Sequence, residues 1–303
     1  MGKTALIFPG QGAQKAGMGK DFYENSETAR RIFDQAGDWL GFDMKALCFE
    51  PNDQLDITEY TQAAMVTTSL AMLAVLQERG LKADVAAGLS LGEYCALAAA
   101  GAMSVEDAVK IVRQRGILMQ QAVPAGVGSM AAVLMLSPEK IEEVIAPVEG
   151  VEIANYNCPG QIVISGFKGA VEEASEKLKE AGAKRVLPLN VSGPFHSPLL
   201  KEAGEKLGEV LAPVELSLLQ MPYVTNVTAQ YIHDTAEIKN LLVRQVYSSV
   251  RWQQSVEAML ADGVDTFIEI GPGKTLTSFV KKINRKANLV NIETWSDMEK
   301  FVC

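Results

Sequence analysis

Histidine is scarce in this chain of 303 residues, which holds two, His196 and His233. Any reaction that needs an imidazole therefore has a very short list of candidates. Cysteine is almost as rare. Cys48, Cys95, Cys158 and Cys303 are scattered, with no Cys-x-x-Cys spacing, so neither a disulfide framework nor a zinc site is indicated and free thiols are expected. No uncharged apolar run approaches the roughly 18 residues of a membrane-spanning helix. The apolar run near the N-terminus stops at Pro9-Gly10, too early for a secretory h-region, and a cytoplasmic location is expected. Basic excess is missing as well: 28 Lys and Arg against 37 Asp and Glu leave a net charge of −9. Nucleic acid is thereby excluded as a partner, because no basic stripe exists to neutralise phosphates. Walker, Gly-x-Gly-x-x-Gly and His-Glu-x-x-His motifs are also lacking, so nucleotide hydrolysis and zinc chemistry find no support.

What is present is ordinary globular composition, 48% hydrophobic and 21% charged, enough for one large domain or a large and a small one. Thr4 to Phe8 reads as a buried strand ended by Pro9-Gly10-Gln11-Gly12. A helix is expected from Gln62 to Arg79, capped by Thr61 and ended by Gly80. Val85 to Ala87 reads as a strand and Glu93 to Ala100 as a helix, an alternation that implies a parallel sheet covered on both faces. From Ser129 the rhythm changes. Strands at 129–136, 151–155, 161–165 and 184–191, with helices at 139–145 and 169–181, follow the β-α-β-β-α-β order of a ferredoxin-like unit. The expected architecture is α/β: a large subdomain (1–126 and 192–303) with a small one (127–191) inserted. Strand-and-helix alternation then resumes, with a strand from Thr266 to Ile270.

Gly88-Leu89-Ser90-Leu91-Gly92 falls where a strand passes into a helix. A nucleophile elbow needs that order of strand, sharp turn and helix. Glycines two positions either side of the serine remove Cβ atoms that would block the turn. The serine then projects at a helix N-terminus, where main-chain N–H groups can stabilise an oxyanion.

A serine nucleophile needs a base. His196 lies between Pro194 and Pro198, in a rigid loop just after the small subdomain, whereas His233 sits in a polar stretch suited to solvent. In Val105 to Ala122, Ala108, Ile111, Val112, Leu118, Met119 and Ala122 form one apolar stripe. Arg115 falls within it, and Arg113 points the other way. An inward guanidinium is costly unless an anion meets it. Two readings stand open: an internal ion pair with Asp or Glu, or a bidentate grip on a substrate carboxylate. Gln11, in the loop after the first strand, is placed where α/β folds build their sites.

Gly10-Gln11-Gly12-Ala13-Gln14, Gly88-Leu89-Ser90-Leu91-Gly92-Glu93, Arg113-Gln114-Arg115-Gly116 and Gly193-Pro194-Phe195-His196-Ser197 occur in this order. Together with Asn157-Cys158-Pro159-Gly160-Gln161 and Gly271-Pro272-Gly273 they resemble the malonyl-CoA:acyl carrier protein transacylase family over nearly the whole chain. The resemblance implies an α/β-hydrolase-like large subdomain with a ferredoxin-like small one. It implies Ser90 as the acylated nucleophile, His196 as its base and Arg115 as the partner of the malonyl carboxylate. It also implies an oxyanion hole from the Gln11 and Leu91 N–H groups, a main-chain carbonyl of Gln245 that orients His196, and Asn157 as a substrate contact. Malonyl-CoA and acyl carrier protein are the implied substrates, with no cofactor beyond the coenzyme A thioester. Rival readings are an acyltransferase that loads a polyketide carrier, a serine esterase or thioesterase, and a silent carrier-binding scaffold. The family more often has His where this chain has Leu89, and Ala where it has Pro194. Phe195 matches the malonyl-type pattern. Carrier docking is expected at the basic cluster Lys281, Lys282, Arg285 and Lys286.

Overall fold

The computed structural model describes residues 2–191 and 193–302, so Ser192 in the His196 loop and Cys303 lie outside the described residues. Among the described residues ten strands form two sheets: β1 (Lys3–Phe8), β2 (Val85–Gly88), β3 (Gly128–Leu134), β4 (Val151–Cys158), β5 (Gln161–Phe167), β6 (Arg185–Pro188), β7 (Tyr223–Val224), β8 (Tyr231–Ile232), β9 (Val264–Ile270) and β10 (Asn288–Ile292). The larger sheet has the order β10-β9-β1-β2-β7-β8. Its pairs are parallel except β7 with β8. Ala5, Leu6, Ile7 and Phe8 in β1, and Val85, Ala86 and Ala87 in β2, are all buried. These unbroken apolar runs are what a sheet covered on both faces requires.

The helix expected at 62–79 runs from Thr58 to Glu78 and is buried on nearly every side. Thr61 is not its cap. Ile57 holds that position, and the Thr61 hydroxyl, inside the first turn, donates to the carbonyls of Leu55 and Ile57 at 2.6 and 3.1 Å. The helix Val105–Gln121 is capped by Ser104, whose hydroxyl accepts from the Asp107 N–H, satisfying one of the free donors of a first turn.

The smaller sheet is antiparallel, in the order β4-β5-β3-β6. With the helices Pro138–Ile145 and Lys168–Glu180 on one face, this is the ferredoxin-like arrangement. The other face is not exposed: Met130, Ala132, Ala154 and Val163 join the core of the larger sheet. Main-chain bonds tie the smaller sheet to the chain just before the helix Trp252–Ala261. Tyr156 N–H donates to Val250 O at 2.9 Å, and Val250 N–H to Ala154 O at 2.8 Å. No helix among the described residues is long and apolar enough to cross a membrane.

Candidate active site

The elbow forms between β2 and the helix Gly92–Ala99. A Cβ at Gly88 would lie 1.9 Å from the Gly92 carbonyl carbon, and one at Gly92 would lie 2.1 Å from Phe8 O. No side chain fits at either position. Ser90 itself takes a left-handed φ of 50°, a conformation that non-glycine residues hold only where the surroundings impose it. Asn226 is the chief clamp. Its Oδ1 accepts from Ser90 N–H at 2.6 Å, and its Nδ2 donates to Gly88 O at 2.7 Å.

His196 also has a left-handed φ, 57°, and is 5% exposed. Its Nδ1 lies 2.8 Å from the main-chain O of Gln245, which only accepts, so Nδ1 carries the proton. Nε2 is then free to accept from the Ser90 hydroxyl at 2.7 Å. Burial, and next the charge of Arg115, push the imidazole down to about 4. It is a neutral base at physiological pH. Among the described residues no carboxylate stands behind it in the manner of a Ser-His-Asp triad.

Arg115 is 1% exposed, and every acceptor it meets is neutral. Nη1 donates to Gln62 Oε1 at 2.9 Å; Nη2 donates to Ser90 Oγ at 3.0 Å and to Gln245 Oε1 at 2.9 Å. The guanidinium lies 5.7 Å over the Tyr94 ring. Among the described residues no carboxylate pairs with it, so the internal ion pair is not what the structure shows. Desolvation draws its pKa down, while Tyr94 and Glu93 oppose that. With five N–H donors, the guanidinium keeps some in reserve for an incoming anion.

The main-chain N–H groups of Gln11 and Leu91 have no acceptor among the described residues. The Gln11 side chain is anchored by Nε2 donating to Thr58 Oγ1 at 3.2 Å. Asn157 is buried on β4, and no hydrogen bond among the described residues joins it to Ser90, His196 or Arg115. His233 is exposed and stacked on Tyr231. Lys281, Lys282, Arg285 and Lys286 are exposed together at and beyond the end of the helix Thr275–Ile283.

Sequence reasoning missed four polar residues of this site: Asn226, Gln62, Glu93 and the side chain of Gln245. Gln245 Nε2 donates to Ser90 O at 2.9 Å and to Glu93 Oε2 at 2.7 Å. Burial pushes Glu93 up to about 7, with the Gln245 amide the largest influence against it. An acid inside the apolar helix Gly92–Ala99, and a glutamine inside the equally apolar helix Thr58–Glu78, were the available signals. Asn226 left none.

The acyl transferase domain model matches residues 5–299 of this chain. The malonyl CoA-acyl carrier protein transacylase of Bacillus subtilis is 50% identical over 96% of this chain and 94% of its own length. The crystal structure of the malonyl CoA-acyl carrier protein transacylase from Clostridium perfringens superimposes with a TM-score of 0.96 at 45% identity, covering 99% of this chain and 96% of that one. A malonyl-transacylase solved in complex with a type II PKS acyl-carrier protein gives a TM-score of 0.96 at 40% identity, with 99% of each chain covered. A serine hydrogen-bonded to an imidazole, two unbonded main-chain N–H groups and a buried guanidinium are thus set in a fold matched from end to end, and the chain is an acyltransferase belonging to the acyl transferase domain family.

Proposed function

We propose that this protein transfers the malonyl group of malonyl-CoA to the phosphopantetheine thiol of an acyl carrier protein, through a malonyl ester on Ser90, and that it supplies fatty-acid synthesis. His196 Nε2 takes the hydroxyl proton as Ser90 Oγ attacks the thioester carbon. The carbonyl oxygen becomes an oxyanion between the N–H groups of Gln11 and Leu91. Collapse breaks the C–S bond, and coenzyme A leaves as the thiol with the proton from His196. The carrier thiol then gives its proton to His196 and attacks the ester, and collapse returns the proton to Ser90. Atoms and charge balance with the thioester alone, so no cofactor is assigned.

Arg115 carries this reading: a buried cation 3.0 Å from the nucleophile and, among the described residues, without an ion pair of its own. It selects acyl groups that bring a carboxylate and fixes their orientation. Neutralising Arg115 also removes one of the two influences that hold His196 down, so a malonyl substrate strengthens the base that acts on it. The main-chain partner of His196 Nδ1 supports transfer over an esterase triad. Asn157 stays our candidate substrate contact, and the basic cluster at 281–286 our carrier-docking site. We further take 127–191 as a small subdomain within the catalytic one, and place the reaction in the cytoplasm.

Intact-mass analysis after mixing with malonyl-, methylmalonyl-, succinyl- and acetyl-CoA tests the proposal. A malonyl adduct on Ser90 that moves to holo-carrier on addition is expected. Malonate released to water instead would make the protein a thioesterase, and absence of any adduct would leave a binding scaffold.

A further inference from the structure

The mechanism above makes no use of the Glu93 carboxylate. Glu93 is fully buried three residues after the nucleophile. Its Oε2 accepts from Gln245 Nε2 at 2.7 Å and from the Asn226 N–H at 3.1 Å. Glu93 also interacts with the Thr225 hydroxyl, and Arg115 with that of Tyr94. A buried acid and a buried cation thus stand at opposite ends of one amide. The amide direction is forced: a guanidinium only donates, so Oε1 faces Arg115 and Nε2 faces Glu93.

Burying a guanidinium among neutral acceptors is costly, and a nearby negative charge offsets part of that cost. Glu93 supplies that charge, each group favouring the ionised form of the other. Direct contact would go further and fill the guanidinium fork with a permanent internal partner. On the malonyl-transfer reading, that contact would compete with the substrate for the same donors. We propose that the side chain of Gln245 is a specificity-determining spacer, which keeps Glu93 from capturing Arg115 and so leaves the cation charged, buried and available to the substrate carboxylate.

The test is a pair of variants assayed at pH 8, where Glu93 is ionised. Gln245→Ala removes the amide and keeps the main-chain carbonyl that orients His196. Arg115 then turns onto Glu93, and loading of malonyl relative to acetyl on Ser90, followed by intact mass, falls by about tenfold or more. The ratio cancels losses common to both acyl groups. Adding Glu93→Gln removes the captor, and the double variant recovers the ratio to within about threefold of the unsubstituted protein. A merely structural role gives the reverse, with both acyl groups slowed alike and two changes worse than one. An unchanged ratio in Gln245→Ala, or a further fall in the double variant, overturns the inference. Should Gln245→Ala not fold, Gln245→Met, of similar length and without the amide, takes its place with the same expectations. A protein that loads malonyl normally beside a variant of unchanged ratio overturns the spacer alone. Unsubstituted protein that gains no malonyl overturns the malonyl reading and the spacer with it.

Discussion

On the helix Val105–Gln121, Arg113 and Arg115 face opposite sides and meet opposite chemistry. Arg113, at the rim, pairs with Glu59 at 2.7 Å and lies 4.2 Å over the ring of Tyr60 and 5.5 Å over that of Phe42. Arg115, inside, is denied any such acid and meets two glutamines and a serine hydroxyl. The first cation has its anion built in and is part of the scaffold. The second is held in place by neutral groups, and on the proposed function an anion from outside completes it. Pairing explains the difference in cost: the desolvation of Arg113, in a pair 16% and 24% exposed, is offset by its own anion, whereas the buried guanidinium of Arg115 meets neutral groups only.

The comparison breaks most visibly by truncating the inner residue. Arg115→Ala should lower malonyl loading by on the order of 100-fold, the worth of a charged hydrogen-bonded pair, while acetyl loading is unchanged or faster. Equal loss of both acyl groups, read by stopped time courses on the two thioesters, would remove the distinction. A smaller effect concerns the base. With the cation gone from beside His196, the imidazole titrates higher, so the acid limb of kcat/KM for acetyl transfer moves to higher pH in Arg115→Ala. Arg113→Ala should leave that limb where it is, and a shift there would mean that the two arginines act alike. Smallest of all, Arg113→Ala should lower the thermal midpoint by about 2 °C with the malonyl-to-acetyl ratio untouched. Calorimetry and the loading assay check the two halves of that statement.

Much of this site is legible from local pattern. The elbow declares itself because strand, glycine, serine, glycine and helix are consecutive, and the inward face of Arg115 follows from the helical period of its apolar neighbours. The small sheet is legible for the same reason, as a run of short alternating segments within one stretch of chain. What escapes is polar and long-range. Asn226 clamps Ser90 from 136 residues away, and no spacing announces it. Gln245 was read only for its carbonyl; its amide gains meaning from Glu93 and Arg115, three segments that meet only in the fold. The two-residue strands β7 and β8 are too short for any periodic signal. Thr61 misled because a hydroxyl inside a first turn looks, in sequence, like one that precedes it.

Ser90 and His196 share one backbone peculiarity, a positive φ. Neither residue chooses that shape for itself, and each such residue costs on the order of 1–3 kcal/mol. The hydroxyl and the imidazole are therefore aimed by what grips their main chains, and the grip on Ser90 comes from Asn226 and Gln245. Loosening either grip would let the turn relax toward ordinary dihedrals and carry the alcohol off its line to the base, with every reacting group still present.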